Sequence, residues 1–208
     1  MRTIKRNQPP ACLGKQPAQQ AWLAFMRSPC HAEVRDCLNH EQKGLCCYCE
    51  IAIGEGDSHI EHMEPRSQRA ARTYDYSNLA LSCNGGTVEH CGRFKDDRKK
   101  NRNHTWNAVK FSSPHDPATA ALFRYDIQGG IATTDVDSTK ADYLIGYLGL
   151  DCARLSERRR RHAIDLVETL GEQPDSEILA WLRRDYLQSD DTGCLKQFPS
   201  LSKAILEP

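Results

Sequence analysis

The 208-residue sequence predicts an α+β fold, predominantly helical, with a small cysteine- and histidine-rich centre enclosed by helices at both ends. Cysteines pair at short spacing twice, in "CCYCE" (46–50) and "CNGGTVEHC" (83–91), on either side of short apolar alternation. Helical patterning holds before residue 44 and returns from about 138 onward. No internal repeat or low-complexity tract interrupts the chain, and its length suits one domain with a real core, or a small catalytic unit plus an accessory segment.

Residues 18–40 read as helix, with Ala21, Trp22, Phe25 and Met26 on one stripe. The stretch "SPCHAEVRDCLNHEQKG" restarts it, Ser28 serving as N-cap and Pro29 entering the first turn, and Gly44 stops it. "EIAI" (50–53) and "SHIEHM" (58–63), separated by "GEGD", predict a β-hairpin. The following "SNLALSCNGGTVEHCGRFKDDRKK" is expected to open as a loop and enter a helix near Cys91. A second short hairpin is expected in "ALFRYDIQGGIATT" (121–134), turning at Gly129-Gly130. The remainder reads as helices: "STKADYLIGYLGL" capped by Ser138, then "DCARLSERRRRHAIDLVETLGE", "PDSEILAWLRRDYLQ" and "KQFPSLSKAILEP".

The 28 basic and 28 acidic side chains cancel, so the chain has no global positive field to attract nucleic acid, and the isolated chain is expected to bind it weakly. Two local basic clusters, "RFKDDRKKNRNH" (93–104) and "RLSERRRRH" (154–162), read first as solvated helix faces. No apolar run approaches the roughly 20 residues of a membrane span, and the first residues lack an apolar signal core. The expectation is therefore a cytoplasmic protein with no membrane association and with reduced thiols. Ten cysteines then read as buried hydrophobes, metal ligands or both.

Cys46 and Cys49 have C-x-x-C spacing, which lets a tight knuckle direct both sulfurs at one ion. A redox motif is the rival reading, but the thioredoxin-like βαβ context it needs is missing from the pattern. Cys83 and Cys91 follow with two glycines between them, so Cys46, Cys49, Cys83 and Cys91 are expected to form a structural zinc site. Cys47 is an alternative to Cys46. Cys12, Cys30, Cys37, Cys152 and Cys194 stand without partners in the pattern and read as packing residues.

Inside this frame lie "HIEHMEPRS" (59–67) and "YSNLALSC" (76–83). The combined pattern "CCYCE…HIEHMEPRS…YSNLALSC…HCGRFK" resembles the HNH endonuclease family, and within it the PtuB-like effectors of Septu and retron-associated anti-phage systems. The match covers residues 46 to about 97, with the helical flanks agreeing only loosely. The resemblance implies a zinc-stabilised ββα-metal (HNH) finger over 45–110, preceded by an N-terminal helical segment (1–44) and followed by a C-terminal hairpin and helical segment (111–208). It implies that His62 is the general base toward a phosphodiester, that Glu61 ligates a catalytic Mg²⁺ or Mn²⁺, and that Asn78 fixes the base imidazole through its second nitrogen.

One position departs from the family pattern. A second metal ligand usually follows the last zinc cysteine, and here that residue is Gly92. Asp96, one turn on, and His90, just before Cys91, are the substitutes considered. His59 shares a strand face with Glu61 and is a ligand, a partner of one, or an exposed hairpin histidine. Arg66, Arg69 and Arg72 recur every third residue and, with Lys95, could meet a nucleic-acid backbone or simply face solvent. The resemblance further implies a PtuA-like ATPase partner and, in retron versions, a reverse transcriptase with its RNA–DNA product. Trp181, Leu182 and Leu187 offer either a docking face or core packing. The competing function is a non-catalytic zinc-knuckle module that binds nucleic acid or protein.

Overall fold

The computed structural model describes residues 1–16, 21–54 and 56–207. Residues 18–20 of the expected first helix lie outside these. Helix α1 (Trp22–Phe25) is a single turn, and α2 (Pro29–Gln42) restarts after a break at 26–28. Ser28 caps α2 as the sequence suggests: its hydroxyl accepts from the His31 N–H, and Pro29 occupies a first-turn position where no N–H is missed. The helix ends as Lys43 and Gly44 turn left-handed, at φ 54° and 74°.

The central sheet is not the one expected. Strand β1 (Ser58–His62) pairs antiparallel with β2 (Leu79–Cys83), the stretch expected to be a loop, with Glu61 opposite Ala80 and His62 opposite Leu79. Residues 50–53 instead close the first cysteine knuckle, held by a single bridge between Leu45 and Ala52 and by the Cys46 N–H on the Ile51 carbonyl. Neighbours in sequence did not pair because 45–53 is consumed in the tight turn that aims two sulfurs inward. The free edge of β2 is satisfied by other means. The buried Gln42 amide donates to the Leu45 and Leu81 carbonyls and accepts from the Leu81 N–H, while the Cys47 N–H also reaches Leu81 O. These bonds dock α2 and the knuckle on one strand.

A distorted turn α3 (Gly85–Val88) and short helix α4 (Cys91–Asp96) complete the finger. Gly85 (φ 70°) cannot be replaced cheaply, since a Cβ there would lie 2.3 Å from the His90 carbonyl oxygen. Hairpin β3 (Phe123–Tyr125) and β4 (Ile131–Thr133) forms as expected, around Gly129. Helices α5 (Ser138–Leu148), α6 (Ala153–Leu170), α7 (Ser176–Leu187) and α8 (Pro199–Leu206) follow. The cap of α5 is Asp137, whose carboxylate accepts from Lys140 N–H, and not Ser138, which already lies inside the helix.

Alternation along β1 and β2 separates two environments. Ile60, Leu79 and Leu81 pack with Phe25, Val34 and Leu38 beneath α1 and α2. Ala80 and the cysteines join Leu144, Leu148 and Leu155, so this core draws on residues from the whole chain. A third cluster, Leu166, Leu182 and Leu206, holds α6 to α8, and Leu187 packs on it; Leu182 and Leu187 are thus core, whereas Trp181 remains half exposed. No described helix is long and apolar enough to cross a membrane.

Cys12 and Cys30, expected to be partnerless packing residues, form a disulfide with Cα atoms 5.7 Å apart. Their separation of 18 residues carries no motif, and only the packing of the 10–16 segment against the start of α2 brings them together. Cys37 and Cys152 are free and pack against the cores, as expected.

Candidate active site

The four predicted zinc cysteines converge. Their sulfurs all lie within 4.8 Å of one another, and among the described residues they form the one converging set of three or more metal-ligand atoms. The Cys49–Cys83 and Cys46–Cys91 sulfur pairs stand 3.6 and 3.8 Å apart. A tetrahedral zinc with bonds of about 2.3 Å separates its sulfurs by roughly 3.8 Å, so the donor set fits the ion. Burial pushes the Cys49 and Cys91 thiols well up. Burial also opposes ionisation of Cys46, yet the surrounding thiols, led by Cys47, hold it well below its usual range. Four thiols packed this closely cannot all ionise unless a cation joins them. Cys47 stays outside the converging set, which decides between it and Cys46.

His90 belongs to this cluster and not to a catalytic ion. It is buried, with Nδ1 3.2 Å from the Cys91 sulfur and 3.7 Å from that of Cys83. Its neighbour Cys91 is left-handed, at φ 64°.

On β1, His62 and Glu61 point to opposite faces, as a strand requires. His62 lies on the α1 side, with its ring edge-on to the Trp22 ring at 4.4 Å. Its Nε2 lies 3.0 Å from the Thr73 carbonyl oxygen, which can only accept, so Nε2 carries the proton and Nδ1 keeps a lone pair. Burial, aided by Arg66, lowers its pKa to about 4 and keeps the ring neutral at ordinary pH.

Asn78 does not touch this imidazole. Its Oδ1 accepts from the Glu64 N–H at 2.8 Å, and its Nδ2 donates to the Glu64 and Arg72 carbonyls. Asn78 therefore ties down the 64–72 loop, whose next residue, Thr73, holds His62. Its influence on the base runs through the backbone, because the turn at 63–65 takes up the amide first.

Glu61 is almost fully buried. Its Oε1 accepts from the Tyr48 hydroxyl at 3.1 Å and pairs with the Lys95 ammonium at 3.1 Å. Burial opposes its charge, but Lys95 and His59 together outweigh it and hold the carboxyl below its usual range. Lys95, expected at a nucleic-acid phosphate, is instead a buried internal cation. Besides Glu61 it bonds the half-exposed Asp96 at 2.7 Å and the His62 carbonyl at 3.1 Å. Burial and the Glu61 charge together raise the Asp96 pKa.

Gly92 explains how the carboxylate fits. A Cβ at that position would lie 2.3 Å from Glu61 Oε2 and 2.9 Å from His59 Nε2, while the Gly92 N–H donates to the Ser82 hydroxyl. The glycine that departs from the family pattern clears the space in which Glu61 and His59 meet.

Two hollows open beside these residues, of about 650 and 700 Å³, and both are lined by Arg66 and Asp96. The first contains Trp22, His59, Glu61 and His62. The second extends over Arg98, Arg102, His104 and Trp106. Arg66 lies over the Trp22 ring at 5.3 Å, between the two. Arg69 is turned back toward Glu64 at 4.0 Å, and Arg72 is bound to Glu64 and Asp75.

Trp22, Tyr48, Thr73 and Asn84 were not assigned to the site from sequence. Tyr48 lies inside "CCYCE" and Asn84 directly follows Cys83, so both were adjacent to a recognised pattern. Trp22 is some forty residues upstream of His62 and leaves no local signal.

No protein-family model matches the chain. Over 146 residues it is 29% identical to a protein of Vibrio cholerae serotype O1 biovar El Tor named "Retron Vc95 putative HNH endonuclease". The alignment covers 66% of this chain and 66% of that relative, so the chain spans just under two thirds of the relative's length. The four-thiol cluster and the mixed helix-and-sheet architecture are consistent with that similarity.

Proposed function

We propose that this chain is a metal-dependent HNH endonuclease that hydrolyses phosphodiester bonds of nucleic acid. The observation that carries the reading is the pair of adjacent residues on β1. His62 is neutral, with Nε2 bound to Thr73 and Nδ1 left as a lone pair, beside an ionised Glu61. His62 Nδ1 takes the proton of a water attacking phosphorus. Thr73, fixed by Asn78 through the loop, holds the imidazole in the required tautomer. Trp22 covers the ring and limits its contact with bulk water. Glu61 would hold a divalent cation, Mg²⁺ or Mn²⁺, which when bound supplies charge stabilisation at the phosphate and the departing 3′ oxygen. Lys95 keeps Glu61 charged in its buried position. Arg66, Arg98 and Arg102 supply positive charge along the hollows, where a phosphate backbone can lie, and Trp106 adds an aromatic surface.

The biological setting is part of the same proposal. The retron in the relative's name agrees with a retron-associated defence effector; action with a PtuA-like ATPase and a reverse transcriptase carrying its RNA–DNA product is proposed from the sequence resemblance alone. The cancelled net charge agrees with a nuclease that receives its affinity from partners.

The test compares wild type with His62→Ala on DNA and on total tRNA, with Mg²⁺ or Mn²⁺, alone and with the ATPase. Cleavage lost in the variant, with zinc content unchanged, is expected. Equal cleavage by both would remove His62 as the base. No cleavage by either, with zinc bound and partner present, would leave the binding-module reading.

A further inference from the structure

Glu61 uses its two oxygens differently. Oε1 is occupied by the Tyr48 hydroxyl and the Lys95 ammonium. Among the described residues, Oε2 has one polar partner, His59 Nε2, at 3.3 Å. Which atom carries a proton there follows from the other end of the imidazole. His59 Nδ1 lies 3.2 Å from Asn84 Oδ1. The Asn84 amide cannot be read the opposite way, because its Nδ2 donates to the Gly56 carbonyl at 3.1 Å. Asn84 therefore presents its oxygen to His59, Nδ1–H donates to it, and in the neutral ring Nε2 is a bare lone pair. A lone pair facing a carboxylate oxygen at 3.3 Å is repulsive, and either a second proton on the ring or a metal cation between the two atoms relieves it.

We infer that His59 Nε2 and Glu61 Oε2 are the protein ligands of the catalytic divalent cation, His59 replacing the helix ligand that Gly92 does not supply, and that Asn84 is the residue that fixes the His59 tautomer. This deepens the nuclease reading and rests on it. An imidazole whose far N–H is held by an oxygen acceptor is the usual form of a metal-bound histidine. Asp96 is a poor substitute, since Lys95 occupies its Oδ1. A one-carboxylate, one-imidazole site leaves most positions to water and phosphate oxygens, which suits Mn²⁺ and Mg²⁺.

The test is Mn²⁺ binding to the zinc-loaded full chain without substrate, followed by calorimetry and by the nitrogen modulation of the Mn²⁺ electron spin echo. Wild type should bind with a nitrogen signature. His59→Ala should lose that signature and bind at least 100-fold more weakly, while His62→Ala keeps both. Asn84→Ala should weaken binding by about 10–100-fold, the range for partners behind a metal-bound histidine. Zinc content and circular dichroism identify a variant that fails to fold, in which case His59→Gln, which keeps bulk but removes the imidazole, carries the test. If Glu61→Gln abolishes binding while His59→Ala binds like wild type, His59 is only an imidazolium partner of Glu61, and this inference fails while the nuclease reading stands. If wild type binds no Mn²⁺, both fail.

Discussion

The four-thiol cluster and the cation site proposed at Glu61 lie close together and are built in opposite ways. The thiol cluster is buried and uniform in chemistry: four sulfurs within 4.8 Å have no internal counter-charge, which the proposed structural zinc would supply. The Glu61 site, on the same face of the strand pair and separated from the sulfurs by Gly92 and Ser82, carries its own cation. Lys95 neutralises Glu61 from within, leaving only Oε2 and His59 for a further ion. A site that must never lose its metal can be left dependent on it. A site whose ion exchanges with solvent and substrate has to remain folded when the ion leaves, and an internal ammonium accomplishes that.

Breaking the first site should have the largest effect. Zinc removal by a strong chelator, or Cys49→Ser, should unfold the finger, because structural zinc contributes on the order of 10 kcal/mol to such folds. Circular dichroism and thermal melting would register it; a chelated protein that keeps its wild-type melting curve would contradict a structural role for the cluster. His62→Ala should lower cleavage by about 10²–10⁴-fold, the usual range for removing a general base, and leave melting nearly unchanged.

Lys95→Met tests the internal counter-charge directly. It leaves a buried carboxylate without its cation and should destabilise by about 3–5 kcal/mol. Millimolar Mn²⁺ should restore part of that loss in the variant and add less to wild type. Equal shifts in both would mean that Lys95 and the divalent ion do not share Glu61. Gly92→Ala should cost about 1–3 kcal/mol through crowding of Glu61, which Tyr48 and Lys95 keep from moving aside. Reduced Mn²⁺ affinity should accompany it.

The smallest expected effect is on pH. Burial lowers the His62 and His115 pKa values to about 4, against an ordinary 6.5. Between those values the unfolded chain binds more protons than the folded one, so stability rises with pH across about 4 to 6.5. It should be fully present above that window and fall as pH drops through it. Substituting His62 by Gln should flatten the slope measured by denaturant titration; an unchanged slope would mean that His62 titrates normally.

Much of the thiol site was legible in the sequence because knuckle ligands are local: two residues between Cys46 and Cys49, and seven between Cys83 and Cys91, limit how the chain can turn. The Glu61–His62 pair was legible for a similar reason, since strand alternation fixes which neighbour faces which side. The α2 cap, the second hairpin and the C-terminal helices also follow from short-range chemistry. Strand pairing did not: 50–53 and 58–63 are adjacent in sequence, but the knuckle takes the first and leaves 79–83 to pair with the second.

The sequence by itself determined the residue types at the two sites, which four cysteines converge and the helical framework around them, because each is set by spacing within a turn, a strand or a knuckle. Only the tertiary structure decided that Lys95 pairs with Glu61, that His90 turns to the sulfurs, that Asn78 acts through a loop, and that Cys12 meets Cys30. In most of these the contact spans a dozen residues or more. Such contacts depend on how whole elements pack, and no local pattern in the chain encodes that packing.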